Sequence, residues 1–491
     1  MAQDLILSID QGTTGTTAML VDANITTLGT HNVEFPNHYP APGEVEHNLG
    51  EIQQSIADAV TGLLQKLSIS ADRIACIGIT NQRETCCFWD KHSGEPIHRA
   101  LVWQDKRTAE RCTALKEAGH ESLFKQKTGL VLDPYFSGTK AAWLLDNVQG
   151  ARGKAMSGDI LFGTIDTYVT YWFTGAHVTD PSNASRTLLF NIHTLDWDDE
   201  LLDIIKVPRQ CLPRIGDSSE VFGRTRGLSF LPDGIPVAGI IGDQQGALFG
   251  QAAFDMGMAK CTYGTGAFIL VNTGDSPRES NQGMLTTVGW RVNGKTTYAL
   301  EGSAFIAGAA VQWLRDGLNI ISTAAEIESL AETVPDSGGV IFVPALAGLG
   351  APHWRPDARG LLWGMTGGTT RAHIARAVLD GIALQLTDIL DAMAADLGSP
   401  LTELRVDGGA ARNNLLMQRQ SDLIQADIRR PHVLETTGLG SALMAGLAVG
   451  IWDNLDAVSE KWALDRHFKA NLSPEQVASI RAKWDTAVHR S

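Results

Sequence analysis

The chain has 491 residues, of which 44% are hydrophobic and 19% charged, and these ordinary globular values exclude a disordered, collagen-like or coiled-coil protein. The length predicts two large domains or about three smaller ones. With 55 Asp and Glu against 40 Lys and Arg, the formal charge of −15 argues against a nucleic-acid-binding protein and against attachment to an anionic membrane surface.

Cysteine spacing and hydropathy predict where the protein resides. Six cysteines occur without a CxxC pair or dense spacing, which is typical of reduced thiols in a cytosolic protein. Residues 1–11 contain Asp4 ahead of a short apolar run and no basic segment, so we expect no secretory signal. The longest apolar stretch, around 442–451, is interrupted by glycine and is too short to span a bilayer. We therefore expect a cytoplasmic protein without membrane insertion.

The first elements predict a β-hairpin with a glycine- and threonine-rich tip. Leu5–Asp10 and Thr17–Asp22 are rich in β-forming residues, and the sequence QGTTGT joins them. A third extended stretch is expected near 32–35. Residues 51–67 then place apolar side chains at helical spacing, and the buried strand predicted for 73–80 ends in the sequence NQRE.

The same pattern returns in the second half of the chain. Short strands are predicted for 260–263 and 267–272, on either side of a Gly-Thr-Gly turn. This repeat predicts two α/β domains, each with a phosphate loop, and a ligand cleft between them. We place the boundary near 248–256 and expect domains at 1–250 and 251–491.

The tip of the first hairpin is a candidate phosphate loop. Small residues at Gly12–Thr17 let backbone N–H groups approach an anion. A glycine hairpin alone is more often an ordinary turn, but Asp10 stands directly before it and a matching loop occurs at Gly264–Gly266. A carboxylate at a strand end can hold Mg²⁺, often through water.

Other candidate residues have simpler explanations when each is considered alone. Asp243 follows the apolar run 237–241, so it either enters a site at the strand end or caps a helix over 244–249. Arg83 and Glu84 also follow a strand, but adjacent opposite charges more often form a solvated or structural pair than a binding site.

Two aromatic residues and a paired-glycine motif complete the candidates. Trp103 and Tyr135 are by default core residues, whereas VDGGAARNN at 406–414 ends a strand with glycines that let the backbone approach a flat or anionic ligand. The sequence has no G-x-G-x-x-G in a first βα unit and no H-E-x-x-H. Its 13 histidines lack ligand spacing, which argues against a zinc enzyme.

Together these motifs resemble the FGGY family of carbohydrate kinases, and within it the glycerol kinases. The combination of NQRE with GDQQ and YGTGAF distinguishes glycerol kinases from sugar kinases of the same fold. The matching segments cover nearly the whole chain and are DQGTTGT at 10–16, NQRET at 81–85, LVWQDKRTA at 101–109, DPYFSGTKAAWLL at 133–145, GDQQGALFGQ at 242–251, YGTGAF at 263–268, EGSAFIAGAAVQWLRDG at 301–317 and VDGGAARNN at 406–414.

The resemblance implies an α/β fold in which two ribonuclease-H-like domains of the actin ATPase type flank a central cleft, with ATP held by both domains and the polyol by the first. It implies ATP-dependent phosphorylation of glycerol to sn-glycerol 3-phosphate and ADP, in glycerol uptake and catabolism. Asp243 and Asp10 would be the catalytic carboxylates, with Asp243 as general base and both as Mg²⁺ ligands. The implied polyol contacts are Arg83, Glu84, Trp103, Tyr135, Asp243, Gln244 and Phe268. The implied nucleotide contacts are Gly12, Thr13, Thr14, Thr265, Gly308, Gln312, Gly409 and Asn413.

The chain departs from the family pattern at several places. Thr17 stands where well-known bacterial members carry an arginine that contacts the nucleotide phosphates, so we expect weaker nucleotide binding or a substitute cation. Segment 224–234 lacks the fructose 1,6-bisphosphate loop of enteric relatives and the histidine phosphorylated in some Gram-positive relatives, and the tail 467–491 does not resemble the segment that docks the phosphotransferase partner. We expect none of these regulatory interactions. The family implies a homo-oligomer, either a dimer or a tetramer.

Two other functions stay open at this point. A non-enzymatic nucleotide switch of the actin type would share the phosphate loops but would need no polyol pocket. A kinase for a pentulose, erythritol or dihydroxyacetone would share the fold, although the bulky side chains of Trp103 and Phe268 favour a three-carbon ligand.

Overall fold

The computed structural model describes residues 3–491, and its first part combines strands and helices in alternation. The strands of this part are β1 (Leu5–Gln11), β2 (Gly15–Asp22), β3 (Thr27–Glu34), β4 (Glu46–His47), β5 (Ile74–Asn81), β6 (Cys86–Asp90), β7 (Ala100–Leu101), β8 (Ile160–Thr164), β9 (Val178–Thr179), β10 (Phe190–Asn191), β11 (Asp196–Trp197), β12 (Arg214–Ile215), β13 (Ser219–Arg224) and β14 (Pro236–Gly242). The helices are α1 (Leu49–Leu67), α2 (Ala109–Glu117), α3 (Glu121–Thr128), α4 (Ser137–Asn147), α5 (Ala151–Ser157), α6 (Ile165–Thr174), α7 (Pro181–Ala184), α8 (Asp199–Ile205) and α9 (Asp243–Gly250).

The second part of the chain follows the same alternation. Its strands are β15 (Met258–Tyr263), β16 (Ala267–Gly274), β17 (Leu285–Val292), β18 (Lys295–Ala304), β19 (Ile341–Val343), β20 (Leu361–Trp363), β21 (Glu403–Asp407), β22 (Ile428–Pro431) and β23 (Leu464–Phe468). Its helices are α10 (Gly308–Asp316), α11 (Glu326–Ala331), α12 (Arg371–Leu397), α13 (Asn414–Ile424), α14 (Thr436–Ala448), α15 (Leu455–Ser459) and α16 (Pro474–Arg490). Each helix found in residues 3–491 is too short or too polar to span a bilayer.

Both parts of the chain contribute strands to one 13-stranded sheet. The two contributions, called the first and second sheets below, have the same strand order. In the first part, β1, β2 and β3 are antiparallel neighbours, and β5 and β14 continue the sheet parallel to β1. In the second part, β15, β16 and β18 are antiparallel neighbours, and β21 and β22 continue parallel to β15. The shared strand order confirms the predicted repeat and the α/β fold.

The predicted elements are confirmed, although the ends of two of them lie at other residues than predicted. The first helix begins at Leu49 rather than at 51 because the Asn48 side chain caps it, accepting a hydrogen bond from the Gly50 amide at 2.9 Å. The third extended stretch begins at Thr27, well before the predicted 32–35, because β3 pairs with β2 along nearly its full length.

Helix α14 connects the two parts of the molecule. It comes late in the chain, yet it packs on α9 and on β1, β5 and β14 of the first sheet. Glycines allow this close approach, because a Cβ on Gly78 would lie 2.1 Å from the Ser441 carbonyl oxygen and a Cβ on Gly440 would lie 2.0 Å from that of Gly246. The division of the chain near residue 250 therefore stays a prediction, since packing places part of the C-terminal segment with the first sheet.

Candidate functional site

Three parallel strands end at one edge of the first sheet and bring the predicted polar residues together. Asp10 pairs with Thr80 between β1 and β5, and Gly242 pairs with Asn81 between β14 and β5. Because neighbouring parallel strands end at the same edge, Asp10, the segment after β5 and Asp243 lie beside one another.

Asp243 is the first residue of α9 and not its cap. Gly242 occupies the cap position, and the Asp243 carboxylate accepts a hydrogen bond from the amide of Gln244 at 2.7 Å. Its Oδ1 also lies 3.2 Å from Nε of Arg83, and 30% of the side chain is exposed. The interpretation of Asp243 as a helix cap is therefore wrong.

Arg83 is buried among carboxylates, with 3% of its surface exposed. Its Nη2 donates to Oε1 of Glu301 at 3.1 Å, and its Nη1 donates to Oε2 of Glu301 and to Oε1 of Gln245, the latter at 3.2 Å. The neighbouring Glu84 carboxylate lies 3.9 Å from its Nε. A solvated Arg83–Glu84 pair is excluded by this burial.

Glu84 is held by a second arginine. Nε of Arg186 donates to Oε1 of Glu84 at 2.6 Å, and Nη2 of Arg186 donates to Oε1 of Glu301 at 2.9 Å. The backbone of Glu84 has a positive φ of 63°, and its carbonyl accepts a hydrogen bond from the Ser137 hydroxyl at 2.7 Å. Burial raises the pKa of Glu84 even though the two arginines oppose the rise.

Arg186 and Glu301 are the residues of this cluster that sequence reasoning missed. Glu301 carries a charge within the apolar run YALEGSA of β18, which is the signal that could have found it. Arg186 follows α7 in the sequence DPSNASR and gives a weaker signal. Burial would raise the pKa of Glu301, but the guanidinium groups of Arg186 and Arg83 outweigh it and lower that pKa to about 2.

An aromatic wall stands beside these charges. Trp103 and Tyr135 are half-buried and meet edge to face, with ring centroids 5.6 Å apart, so neither is purely a core residue. The buried ammonium of Lys140 donates to the carbonyls of Trp103 at 3.3 Å, of Tyr135 at 3.0 Å and of Pro134. Burial lowers the pKa of Lys140 to about 8. Lys140 therefore links the backbone segments of Trp103 and Tyr135 through hydrogen bonds.

Gln244 and Phe268 face the same region from opposite parts of the chain. The buried Lys260 on β15 donates from Nζ to Oε1 of Gln244, and to Oγ1 of Thr262 at 3.0 Å. Phe268 is the register partner of Thr262 on β16, so the two side chains lie on the same face of the sheet. Both Gln244 and Phe268 are half-buried.

Asp10 and Asp243 are near enough for their charges to interact, and a Mg²⁺ site between them stays a prediction. Burial and the nearby Asp243 charge raise the pKa of Asp10 to about 7. Burial also raises the pKa of Asp243, against the opposing charges of Arg83 and Lys260. Mg²⁺ is commonly held by one or two carboxylates together with water and substrate phosphates. Residues 3–491 contain no cluster of three or more His, Cys, Asp or Glu that could hold a metal ion.

Each of the two glycine loops is closed by a backbone hydrogen bond of its own. The amide of Gly12 donates to the Gly15 carbonyl, and the amide of Gly264 donates to the Gly266 carbonyl, each at 2.9 Å. The side chain of Gln82 also donates to the Gly12 carbonyl at 3.0 Å. The two loops are therefore the tips of the β1–β2 and β15–β16 hairpins, each closed by one such bond.

The remaining predicted nucleotide residues lie around the second loop and α13. The Gly308 amide donates to the Gly264 carbonyl at 2.9 Å, so α10 begins directly against that loop. Asn413 caps α13, its Oδ1 accepting a hydrogen bond from the Leu416 amide at 2.8 Å. Their contact with a nucleotide stays a prediction. The exposed members of the predicted set are Thr14, Thr265, Gln312 and Gly409.

Two threonines of the first hairpin have polar partners. Oγ1 of Thr13 accepts a hydrogen bond from Nε1 of Trp103 at 2.9 Å, which connects the aromatic wall to the candidate phosphate loop. Thr17 pairs with Asp10 across the hairpin, and its Oγ1 accepts from Nδ2 of Asn32 at 2.9 Å. The expected effect of Thr17 on nucleotide binding stays a prediction.

Family models match both parts of the chain. The N-terminal domain of the FGGY family of carbohydrate kinases matches residues 5–250, and its C-terminal domain matches residues 259–449. This chain belongs to the FGGY family of carbohydrate kinases. The resemblance seen in the motifs is thereby confirmed.

Relatives of this FGGY kinase are similar along their whole length. The glycerol kinase of Myxococcus xanthus is 55% identical over 490 residues, which is 99% of each chain. That of Burkholderia pseudomallei is 54% identical over 490 residues, covering 99% of this chain and 98% of the relative. The structure of Plasmodium falciparum glycerol kinase with ADP has a TM-score of 0.94 at 39% identity, covering 100% of this chain and 98% of that one. Gluconate kinase from Lactobacillus acidophilus, at 23% identity and a TM-score of 0.86 over 99% of this chain and 97% of that one, shares the fold.

Proposed function

We propose that this FGGY kinase transfers the γ-phosphoryl group of ATP to glycerol, giving sn-glycerol 3-phosphate and ADP, in glycerol uptake and catabolism. Relatives named glycerol kinase, at 52–55% identity over nearly the whole chain, support the substrate. The relative solved with ADP supports nucleotide use. One observation carries the mechanism: the Asp243 side chain keeps 30% exposure, whereas the arginines and glutamates around it have at most 4%.

Recognition of glycerol needs hydrogen-bonding groups for three hydroxyls and apolar walls for the carbons, because the substrate is small and neutral. Buried contacts hold Arg83 and Glu84 before substrate arrives, so binding costs little side-chain entropy. The proposed polyol contacts are the donors and acceptors Arg83, Glu84, Tyr135, Asp243 and Gln244 and the walls Trp103 and Phe268.

Asp243 acts as the general base. Its carboxylate accepts the proton of a terminal hydroxyl while that oxygen forms its bond to the γ-phosphorus and the bond from phosphorus to the ADP oxygen breaks. Burial raises the pKa of Asp243 and makes it a better proton acceptor, and Arg83 at 3.2 Å limits that rise and favours the ionised form that a base requires.

Asp10 and Asp243 would hold Mg²⁺, which neutralises phosphate charge when it is bound. Backbone amides of the two glycine loops would receive the phosphates, because small residues leave these amides accessible. The proposed nucleotide contacts are Gly12, Thr13, Thr14, Thr265, Gly308, Gln312, Gly409 and Asn413.

The substrate is tested by measuring ADP formation from MgATP by the purified protein with glycerol, dihydroxyacetone, erythritol, D-xylulose or no acceptor. We expect glycerol to give by far the highest rate. Equal rates with and without acceptor would support a nucleotide switch instead. Preference for a larger polyol would keep the kinase mechanism and overturn the glycerol assignment.

The base is tested with Asp243→Asn, which keeps the size of the side chain and removes its charge. We expect kcat to fall by about 10²–10⁴, with the thermal midpoint nearly unchanged. Asp217→Asn is the matched control, because Asp217 is paired with Arg291 at 23% exposure and is not among the proposed site residues. A kcat for Asp243→Asn close to that of the control would overturn the assignment.

A further inference from the structure

A carboxylate from the second part of the chain completes the charge cluster of the first. Glu301 lies on β18, whereas Arg83, Glu84 and Arg186 belong to the first part. Glu301 accepts hydrogen bonds from Nη2 of Arg83 at 3.1 Å and from Nη2 of Arg186 at 2.9 Å, and Nη1 of Arg83 bonds to its second oxygen. Two guanidinium groups therefore share one carboxylate supplied from elsewhere in the chain.

The burial of this cluster makes its geometry depend on Glu301. None of the four side chains exceeds 4% exposure, so water cannot replace a missing partner. Without the Glu301 charge, Arg83 would retain the carboxylates of Asp243, at 3.2 Å, and Glu84, at 3.9 Å. Arg83 would then be drawn towards Asp243 and away from its present orientation.

We infer that Glu301 is a positioning residue for the polyol, which orients Arg83 directly and Glu84 through Arg186. This inference rests on the proposed function, in which Arg83 and Glu84 contact the substrate hydroxyls. The path through Arg186 is a continuous one, because its Nε donates to Glu84 at 2.6 Å while its Nη2 donates to Glu301. The polyol site thus includes a residue that does not touch the polyol and that comes from the opposite part of the chain.

The test is Glu301→Gln, which keeps the shape of the side chain, removes its charge and places a donor against two guanidinium groups. Glu403→Gln is the matched control. Glu403 also lies on a strand of the second part, is 9% exposed and accepts hydrogen bonds or ion pairs from two arginines, Arg405 at 2.6 Å and Arg429 at 2.8 Å. The readouts are the KM for glycerol, the KM for MgATP and the thermal midpoint of each variant.

We expect Glu301→Gln to raise the KM for glycerol about tenfold or more while the KM for MgATP changes less than about twofold. Glu301→Asp keeps the charge on a shorter side chain and should therefore raise the KM for glycerol less than Glu301→Gln does. Glu403→Gln should lower the thermal midpoint without separating the two KM values. If Glu301→Gln does not yield folded protein, Glu301→Asp decides by the same two KM values.

An unchanged KM for glycerol, or a parallel rise of both KM values, would overturn the positioning role. This result differs from a failure of the proposed function. If the wild-type protein forms no additional ADP when glycerol is added, the function itself is wrong; if the wild type responds to glycerol and the Glu301 variants keep its KM, only the positioning role is wrong.

Discussion

The polyol side and the nucleotide side of the proposed cleft are built in different ways. On the polyol side, buried side chains hold one another, as when Glu301 receives Arg83 and Arg186 together. On the nucleotide side, backbone groups of glycine loops bond to one another, and side chains such as Gln312 point into solvent. A small neutral triol has to be recognised by fixed side chains, whereas phosphates can be recognised by backbone amides. Side-chain substitutions should therefore weaken glycerol binding most. A Cβ added to a glycine of the loops should instead weaken nucleotide binding most.

Among the changes that test this contrast between the two sides, Arg83→Met is expected to have the largest effect. It removes one of the two arginine partners of Glu301 and the arginine partner of Asp243, so we expect the free energy of unfolding to fall by about 3–5 kcal/mol because the buried Glu301 carboxylate loses part of its counter-charge. We also expect kcat/KM for glycerol to fall about a hundredfold or more. Urea unfolding and steady-state kinetics measure the two effects. Arg291→Met, which breaks a more exposed pair with Asp217, is the control and should leave the kinetics intact. Normal glycerol kinetics in Arg83→Met would remove the basis for the contrast between the two sides.

The next effect concerns His47, which lies between the two sides. The Gln82 amide donates both to Nδ1 of His47 at 3.2 Å and to the Gly12 carbonyl at 3.0 Å. Burial lowers the pKa of His47 to about 4 from a value of 6.5 when unfolded. Between pH 6.5 and pH 4 the unfolded state binds more protons, so stability is lost as the pH falls through this window, by up to about 3 kcal/mol. Urea unfolding at pH 7 and pH 4.5 should show this loss, and His47→Gln should reduce it.

The matched control for this pH effect is His177→Gln. Burial also lowers the pKa of His177 to about 4, but its Nε2 bonds to the Phe162 carbonyl at 2.8 Å, away from the phosphate loop. Both variants should flatten the pH dependence of stability, and only His47→Gln should raise the KM for MgATP. An unchanged KM for MgATP in His47→Gln would show that Gln82 holds the loop without help from the histidine.

A smaller effect is expected on the nucleotide side from Gly308→Ala. Its Cβ would lie 2.6 Å from the Gly264 carbonyl oxygen, so α10 and the second loop must move apart. We expect the KM for MgATP to rise about tenfold, with the KM for glycerol unchanged. Gly153→Ala, at a position with no heavy atom within 4 Å, is the control and should affect neither KM. Equal effects of Gly308→Ala on both substrates would show that the two sides are not separable.

The smallest expected effect is that of Trp103→Phe, which keeps an aromatic wall and removes the hydrogen bond from Nε1 to Thr13. Loss of one such bond is worth about 0.5–1.5 kcal/mol, so we expect the KM for MgATP to rise about two- to tenfold with little change for glycerol. Trp197→Phe, which loses a 2.8 Å bond to the Pro213 carbonyl, is the control. If only the KM for glycerol rises, the indole of Trp103 acts only as an apolar wall and its hydrogen bond to Thr13 has no effect on nucleotide binding.

Much of the fold and part of the site could be predicted from sequence because the signals are local. The hairpin with its tip at Gly12 and the strand end before Asp243 both combine apolar runs with glycine or acidic residues. The charge of Glu301 within an apolar strand marks that residue, but its contact with Arg83 could not be predicted in this way, because the two are 218 residues apart and no local pattern records the contact. The domain boundary, the effect of Thr17, the homo-oligomeric state, the cytoplasmic location and the absence of the named regulatory interactions stay predictions.

The sequence by itself determined the two repeated hairpins, the glycine loops and the motifs of the FGGY family, because backbone freedom and strand periodicity are set within a few residues. Only the tertiary structure decided which charges meet. The ion cluster of Arg83, Glu84, Arg186 and Glu301 forms because burial removes water from all four side chains, and each must then find its counter-charge in the protein, whatever the distance along the chain.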